Sequence, residues 1–392
     1  MLLIPIILVC ISIVFDLLVA LRLRRFDSSL PSGTPHLSEP LPPISVIIPC
    51  KGDEGSLLEN LQNFVNQDYP AAEFVLVTAR EEDPAQSVFN RLQRSNPGRR
   101  MKAVVAGISP FGSEKNNNLI KAIATSDPGS EILVFLDADG KSSGQLIRNL
   151  VSGLASPTFA AVSGYRWYVP RWDVMPEVLR SVWNANGYCF IANPKATLPW
   201  AGALAMRRKI YEEAQIEALW AKSVSTDTPL GPRLATLGLK TKFLSNCIVL
   251  SSERDGWRSL FQWVSRQVLM LRYHRTPLFF MNVLKSSLGN LFGWGLFIWG
   301  CSRGIAEGGL AVAVGFLWIA HFWLFEGLML EPIQRMLSES GFDLRLRKGS
   351  MIIVAPLVSL LQSCCSIYCL FVTRVRWAGV SYEIRNQVAK RV

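Results

Sequence analysis

The sequence predicts an α/β domain with a mostly parallel, Rossmann-like sheet, flanked on both sides by apolar segments long enough to enter a membrane. Between residues 44 and 139, short apolar runs alternate with helix-like segments, which is typical of a parallel sheet with crossover helices. Outside that region, apolar residues concentrate in residues 1–20 and after Pro277. We therefore expect a folded α/β domain combined with membrane segments.

Residues 1–25 are predicted to form an N-terminal transmembrane anchor. Residues 1–20 are long enough to span a bilayer and carry a single charge, at Asp16. Three arginines follow them: Arg22, Arg24 and Arg25. A signal peptide has its positive charges before the apolar run, so we expect an uncleaved anchor whose C-terminal end lies in the cytosol. Residues 26–43, rich in Pro and Ser, are expected to form a linker.

The predicted α/β domain covers residues 44–255. No G-x-G-x-x-G motif follows its first strand, so a dinucleotide cofactor is not expected. Strands are predicted at residues 44–49, 74–78, 101–106, 132–136, 160–168 and 246–251, with helices at 56–67, 84–95 and 119–124.

The strand at residues 132–136 ends on two carboxylates, Asp137 and Asp139, with Gly140 directly after them. Its consecutive apolar residues indicate a strand buried on both faces, and ligands of open α/β sheets bind outside the carboxyl ends of the strands. Two carboxylates at that edge suit Mg²⁺ or Mn²⁺ held against a substrate diphosphate, which points to a nucleotide-dependent transferase. The alternative is an Asp-rich turn without a ligand.

Two further segments of the domain carry candidate functional residues. Residues 198–203 form a loop of small residues around Trp200 and Gly202, where the backbone is able to approach a ligand closely. A simple tight turn is the alternative. Asp227 stands at the head of a predicted helix, either as a functional carboxylate or as a helix N-cap.

The C-terminal part of the chain is predicted to associate with the membrane. Residues 256–276 are expected to form an amphipathic, basic interfacial helix, and residues 377–392 a basic tail. Three full spans between them would carry the tail to the outside, whereas its basic residues favour the cytosolic side. One segment is therefore expected to be re-entrant or interfacial, and the sequence does not choose which. The C-terminal membrane region, residues 277–376, has three candidate segments at 286–302, 308–330 and 351–373.

The net charge of +11 at pH 7 admits two interpretations. A basic chain is typical of nucleic-acid binding, but here Lys and Arg cluster beside the apolar segments, as at Arg374 and Arg376. That distribution suits anionic lipid headgroups and the positive-inside rule. We therefore expect a lipid bilayer as a partner and no nucleic acid.

The order of these segments resembles that of family 2 glycosyltransferases with the GT-A fold, and most closely their ceramide glucosyltransferase branch. The resemblance covers residues 44–275 and the flanking membrane layout. The last of its motifs departs from the family's Gln-x-x-Arg-Trp, because Leu269-Met270 stand where Arg-Trp is expected. The motifs are Pro49-Cys50-Lys51-Gly52, DYPAAEFVLVTAREEDPA at residues 68–85, EKNNNL at 114–119, FLDADG at 135–140 and WVSRQVLMLR at 263–272.

The resemblance implies donor-site roles for five residues. It implies that Lys51 and Asp83 contact the uridine, and that Lys115 lies near the base or the diphosphate. It implies further that Asp137 positions the nucleotide sugar, while Asp139 holds Mg²⁺ or Mn²⁺. Such a metal neutralises charge that develops on the departing nucleoside diphosphate.

The resemblance also implies a catalytic base and an acceptor region. Asp227 falls where the family has the base that takes the proton from the acceptor hydroxyl, in a single displacement with inversion. For Arg266 and Arg272, contact with lipid headgroups is the alternative to phosphate binding. The candidates for acceptor or phosphate contacts are Trp200, Gly202, Arg266, Gln267 and Arg272.

The implied function is that of a multi-pass membrane enzyme with a cytosolic catalytic domain, in the plasma or inner membrane if the chain is bacterial. Such an enzyme would move glucose or GlcNAc from a UDP-sugar donor to a lipid acceptor such as ceramide or a hopanoid. One alternative is a processive polysaccharide synthase, against which the altered motif at residues 263–272 argues. The other is a non-catalytic membrane homologue.

Overall fold

An eight-stranded sheet forms the centre of the α/β domain in the computed structural model. The structure describes residues 2–28, 37, 39–53, 55–191, 198–254, 256–385 and 387–392, so residues 29–36 and 38 of the predicted linker lie outside it. The strands in chain order are β1 (Ile44–Pro49), β2 (Ala72–Thr78), β3 (Arg100–Val105), β4 (Ile132–Leu136), β5 (Lys141–Ser142), β6 (Phe159–Tyr168), β7 (Ala203–Arg207), β8 (Lys240–Ser251), β9 (Arg374–Trp377), β10 (Val380–Arg385) and β11 (Val388–Arg391).

Helices cover the faces of this sheet and continue into an apolar bundle at the C-terminal side of the domain. They are α1 (Leu3–Ser28), α2 (Leu57–Val65), α3 (Ala85–Ser95), α4 (Glu114–Thr125), α5 (Leu146–Ser152), α6 (Met175–Ile191), α7 (Arg208–Glu213), α8 (Ile216–Trp220), α9 (Asp227–Thr236), α10 (Trp257–His274), α11 (Thr276–Glu339) and α12 (Lys348–Phe371).

The strand order of the large sheet is β3-β2-β1-β4-β7-β6-β8-β5. The first four pair in parallel, with Ile44 of β1 aligned to Ala72 of β2 and Ile132 of β4. Strand β7 is antiparallel to both β4 and β6, so β6 and its parallel neighbour β8 again run in the direction of β4. The prediction of a mostly parallel sheet is confirmed. The carboxyl ends of β1, β4, β6 and β8 therefore lie at one edge.

The central strands are buried because their side chains are apolar on both faces. Every residue of β4 is buried, and Val46, Ile47 and Phe135 have no exposed surface. Strand β7 was not among the predicted strands, since its sequence ALAMR is short and lacks alternation. Strand β3 lies at the edge of the sheet and begins one residue before the predicted bounds.

Three described helices are long and apolar enough to cross a membrane: residues 3–26 of α1, residues 307–339 of α11, and α12. Helix α11 is interrupted at Gly304, whose φ of 75° lies in the left-handed region. Its two arms pack against each other, since a Cβ on Gly308 would lie 2.2 Å from the Gly300 carbonyl oxygen. The predicted segment 286–302 belongs to the first arm, which is not one of the three.

A partly buried ion pair joins α1 to the arms of α11. Asp16 of α1 forms a salt bridge with Lys285 in the first arm, and its second oxygen lies 3.5 Å from His321 Nε2 in the second. Charged groups in such apolar helices are stable only when they are paired, so this cluster fixes α1 against the hairpin of α11.

The last residues of the chain fold into a small antiparallel sheet, β11-β10-β9, which packs on the α/β domain. The amide of Ala389 donates to the Lys222 carbonyl at 2.8 Å, and the amide of Arg391 donates to the Pro110 carbonyl at 3.0 Å. The stretch predicted as a basic tail, residues 377–392, thus contributes a wall of the domain.

The arms of α11 provide a stability prediction. Gly308→Leu should separate the arms and lower the free energy of unfolding by about 1–3 kcal/mol or more, since overpacking a tight contact forces the backbone apart. Gly295→Leu on the same helix is the control, because a Cβ at Gly295 meets open space. Denaturation followed by tryptophan fluorescence in detergent measures both, and equal midpoints for the two variants would contradict the close packing.

Candidate active site

The carboxyl edge of the large sheet brings together charged side chains from five separate segments. Asp137 and Asp139 follow β4, and Arg166 lies near the end of β6. Glu253 follows β8. Lys115 comes from the first turn of α4, and Asp227 is the first residue of α9. The parallel direction of β4, β6 and β8 is what makes these segments converge.

Arg166 binds both carboxylates of the Asp-x-Asp pair. Its Nη1 and Nη2 donate to the two oxygens of Asp139 at 2.8 and 2.6 Å, and Nη2 also donates to Asp137 Oδ2 at 2.8 Å. The residue is only 9 % exposed. The adjacent cation holds the pKa of the Asp139 carboxyl below its usual value, against the effect of burial.

Lys115 completes the contacts of Asp137. Its ammonium group forms a salt bridge with Asp137 Oδ1. The position of Lys115 is fixed by the start of α4, where the side chain of Ser113 caps the helix by accepting from the Asn116 amide at 3.1 Å. The neighbouring Glu114 pairs with Lys51 at 2.6 Å, which ties the loop after β1 to the same helix end.

Asp227 faces the same cavity with one oxygen held. Its Oδ1 accepts from the Ala201 amide at 2.8 Å. Burial raises the pKa of the Asp227 carboxyl to about 6, although the nearby Lys115 ammonium group acts in the opposite direction. Thr226 occupies the N-cap position of α9 and makes no side-chain capping hydrogen bond, so Asp227 is the first helical residue and not the N-cap that was its alternative.

Gly202 allows the loop that precedes β7 to pass close to Asp137. The Asp137 amide donates to the Gly202 carbonyl at 3.2 Å. A Cβ on Gly202 would lie 2.7 Å from Asp137 Oδ2 and 2.0 Å from the Trp200 ring. The Trp200 ring lies under the Arg166 guanidinium, 5.1 Å from its centroid. Glycine is therefore required here because a side chain would displace the carboxylate or the indole.

One cavity of about 1610 Å³ joins this cluster to the membrane helices. Its wall includes Asp139 and Asp227 at the sheet edge, and Leu278, Asn282 and Gln362 from α11 and α12. Among the predicted site residues, eight line it: Lys51, Lys115, Asp137, Asp139, Trp200, Asp227, Arg266 and Gln267.

Aromatic side chains form a continuous wall between the two ends of the cavity. The rings of Tyr168 and Trp263 are 5.3 Å apart, and those of Trp263 and Trp183 are 5.0 Å apart. Trp183 Nε1 then donates to Gln362 Oε1 of α12 at 2.7 Å. Flat apolar faces of this kind suit both sugar rings and the apolar part of an amphiphile.

Comparison with known proteins gives the family. The model of glycosyl transferase family 21 matches residues 4–389, nearly the whole chain. The chain belongs to glycosyl transferase family 21. The probable glycosyltransferase YdaM of Bacillus subtilis (strain 168) is 25% identical over 329 residues, which cover 76% of each protein. The sequence-based resemblance to glycosyltransferases is confirmed.

A solved structure supports the fold of this family 21 member. The mannosyltransferase PcManGT from Pyrobaculum calidifontis, in complex with GDP-Man and Mn2+, matches with a TM-score of 0.52. The match covers 94% of this chain and 96% of that one at 20% sequence identity. The GT-A fold predicted from the sequence is thereby confirmed.

Three of the predicted site residues lie outside the cavity wall. Gly202 has no side chain to line the cavity, and its place in the site is the close approach of its backbone to Asp137. Asp83 accepts from the Gly52 amide at 2.8 Å, and so holds the loop that carries Lys51. Arg272 donates to the Val372 carbonyl at 2.9 Å, which satisfies a carbonyl group just past the end of α12.

Arg266 does line the cavity, with its guanidinium 5.1 Å from the Trp377 ring of the C-terminal sheet. Burial lowers the pKa of this arginine. Because Trp377 and Tyr382 also line the cavity, the C-terminal sheet closes the candidate active site of this family 21 member on one side.

Three residues that belong to the charged cluster were not among those predicted from the sequence: Arg166, Glu253 and Arg180. Glu253 lies 3.4 Å from Arg166 and pairs with Arg180. The signal for Arg166 was available, since it is the one charge within the otherwise uncharged strand AAVSGYRWY. A charge buried in a central strand is stable only with partners, and such a position predicts an ion-pair site.

The carboxylates of this site fit a divalent cation only when oxygens of the substrate complete its coordination. Within the described ranges, no group of three or more His, Cys, Asp or Glu side chains is close enough to hold a metal ion. Mg²⁺ is commonly held by one or two carboxylates together with substrate phosphates. Asp137 and Asp139 match that requirement, and the Asp139 side chain is half exposed toward the cavity.

The close approach at Gly202 leads to a prediction about catalysis. Gly202→Ala should reduce sugar transfer by about a hundredfold, because a shift of Asp137 or Trp200 by an ångström misaligns the reacting groups. Gly144→Ala is the matched control, since a Cβ at Gly144 meets nothing within 4 Å. Initial rates of both variants measure the effect, and equal rates would contradict the role of Gly202.

Proposed function

We propose that this chain transfers glucose or GlcNAc from a UDP-sugar to the hydroxyl group of a membrane lipid, with inversion at the anomeric carbon. The observation that carries the proposal is the single cavity that joins the carboxylate cluster to the membrane helices. A lipid whose tail stays among those helices would present its headgroup to a donor held at the sheet edge. Ceramide and a hopanoid are acceptors of this kind.

The proposed donor site uses the cations at the sheet edge. Lys115 and Arg166 line this part of the cavity, and their positive charges suit a diphosphate. Lys51 is proposed to contact the uridine, and Asp83 to support that contact by holding the Gly52 amide. Asp137 positions the sugar, and its two ion pairs keep its carboxylate in one orientation.

Asp227 is the proposed catalytic base. Its Oδ1 is held by the Ala201 amide, which turns the carboxylate toward the cavity and presents Oδ2 to the acceptor hydroxyl. A pKa raised by burial to about 6 makes this carboxylate a stronger base than a solvated one, while it still loses its proton at neutral pH. Arg266 and Gln267 are proposed to contact phosphate or acceptor oxygens from α10.

Mg²⁺ or Mn²⁺ is the proposed cofactor, with Asp139 as its first protein ligand. A divalent cation bound there would supply positive charge for the leaving diphosphate. The residues of the chain contribute the rest. Asp137 and Asp139 offer hard oxygen ligands, and the buried Arg166 and the partly exposed Lys115 add positive charge that needs no metal. A processive synthase is disfavoured, because the Gln-x-x-Arg-Trp pattern is altered at residues 263–272.

The proposed topology has the catalytic domain in the cytosol, with α1 and the second arm of α11 crossing the membrane. The first arm is not among the helices whose length and composition mark them as spans, but it packs against the second arm, and we propose that the two arms cross together as a hairpin. Helix α12 is long enough to cross, yet both of its ends contact the catalytic side. At its start, Arg347 stacks on Trp172 of the α/β domain at 5.5 Å. At its end, Arg272 of α10 donates to the Val372 carbonyl. We therefore infer that α12 lies in the interface, which keeps the C-terminal sheet in the cytosol.

Labelled product tests the proposed function. Membranes that contain the chain should transfer label from UDP-glucose or UDP-GlcNAc into an organic-soluble lipid when Mg²⁺ or Mn²⁺ is present. Asp227→Asn should reduce the rate about 10²–10⁴-fold, because general-base catalysis contributes that much. Asp68→Asn, at an exposed ion pair with Arg148, is the matched control and should leave the rate unchanged. Label only in a water-soluble polymer would favour a synthase and contradict the lipid acceptor.

The raised pKa of Asp227 predicts the pH dependence of transfer. The base is active only when deprotonated, so the rate should rise with pH through about 6 and reach a plateau above it. Below that pH the rate should fall about tenfold per unit, because the neutral carboxyl group cannot accept the proton. A pH–rate profile with saturating donor measures this. A profile that is flat between about pH 5 and 7 would argue against Asp227 as the base.

A native cysteine tests the topology. Cys301 is exposed and lies three residues before the break of α11 at Gly304, at the end of the hairpin away from the catalytic domain. A membrane-impermeant maleimide should therefore label the chain in intact cells or spheroplasts, and Cys301→Ser should abolish the label. Labelling that requires permeabilised membranes would reverse the proposed orientation, and labelling that persists in the variant would show another reactive thiol outside.

A further inference from the structure

All four oxygens of the Asp-x-Asp pair are bound by cationic side chains. Arg166 donates to both oxygens of Asp139 and to Oδ2 of Asp137, and Lys115 binds the remaining Oδ1 of Asp137. A planar guanidinium that spans two carboxylates in this way is a strong, directional interaction. In this state, the oxygens that suit a divalent cation are already neutralised by the protein.

The surroundings of Arg166 keep its guanidinium in place. Tyr168 lies 5.6 Å and Trp200 5.1 Å from the guanidinium carbon, and Glu253 Oε1 is 3.4 Å from Nη1. The side chain is only 10% exposed. A divalent cation that entered alone would have to share the carboxylates with a fixed positive charge a few ångströms away, which disfavours its binding.

A diphosphate would remove this conflict. Its oxygens are the preferred partners of arginine, and they would accept from the guanidinium while the carboxylates turn to the cation. The positive charge of Arg166 would then be compensated whether or not the donor is present. Arg166 lies near the end of β6 and lines the same cavity as Lys115.

We propose that Arg166 is the resident counter-ion of Asp137 and Asp139, and that it exchanges onto the donor's diphosphate when the donor binds. The divalent cation and the nucleotide therefore enter together, and the cation has little affinity for the free enzyme. This inference rests on the proposed function insofar as the donor is a nucleoside diphosphate sugar. Arg166 acts here as a donor-binding and positioning residue.

Binding of Mn²⁺ to the detergent-solubilised full chain tests the exchange without any turnover. Electron paramagnetic resonance counts free Mn²⁺, with and without UDP or GDP as the probe nucleotide. In the wild-type chain, Mn²⁺ alone should bind weakly, and one of the nucleotides should raise its affinity at least about tenfold. In Arg166→Gln, Mn²⁺ alone should bind about tenfold more tightly than to the wild type, and the effect of the nucleotide should shrink.

Three further variants make the result specific. Arg166→Lys keeps the positive charge but lacks the planar guanidinium that contacts both carboxylates at once. Its affinity for Mn²⁺ alone should therefore lie between those of the wild type and Arg166→Gln. Arg171→Gln removes an arginine that pairs with Glu177 outside the cavity, and its Mn²⁺ affinity should equal that of the wild type. Asp139→Asn should abolish binding. Tryptophan fluorescence confirms that each variant is folded.

The outcomes separate this inference from the proposed donor. Equal or weaker Mn²⁺ binding by Arg166→Gln would overturn the counter-ion role, and so would tight binding of Mn²⁺ to the wild type without nucleotide. The Mn²⁺ affinity of the wild-type chain, compared with and without nucleotide, tests the inference even if Arg166→Gln does not fold. If GDP raises the Mn²⁺ affinity and UDP does not, the exchange is supported and a UDP-sugar is rejected as the donor. If neither nucleotide raises the Mn²⁺ affinity, the exchange is overturned.

Discussion

The parallel pairing of β1 with β2 and β4 is the constraint on which the active site depends. Because β6 and β8 run in the same direction, Asp137, Arg166 and Glu253 emerge at one edge of the sheet although they are far apart in sequence. The apolar faces of these strands stabilise the sheet, and the polar residues that follow them are left to bind each other. The charged cluster is thus a consequence of strand direction and burial together.

The membrane helices complete the site as well as anchoring it. Helices α10, α11 and α12 contribute walls to the cavity that begins at the carboxylates, and the small C-terminal sheet closes another side. The aromatic residues Tyr168, Trp263 and Trp183 connect the two regions. The proposed donor site and the candidate membrane helices therefore belong to one structural unit, and this is the reason for proposing a lipid acceptor rather than a soluble one.

Much of the fold could be predicted from local sequence patterns, whereas the pairing of the charged side chains in the site could not. The apolar run before Asp137 predicted a buried strand with carboxylates at its end, and the family's motifs placed Asp227 among the candidate site residues. Pairings such as Arg166 with Asp139 join residues 27 positions apart, and no local pattern specifies them. Strand β7 escaped prediction because ALAMR is short and does not alternate apolar and polar residues. Strand β10, with the sequence VSYEIR, does alternate them, but the interpretation of residues 377–392 as a basic tail did not use that signal.

The central claim is that a sugar held at the sheet edge is transferred to a lipid within the same cavity. Mass spectrometry and NMR of the isolated product test this claim most directly. We expect a single sugar on each lipid molecule, joined by a β-linkage when the donor is an α-linked nucleotide sugar. A ladder of sugars would contradict single transfer to a lipid, and an α-linkage would contradict direct displacement assisted by Asp227.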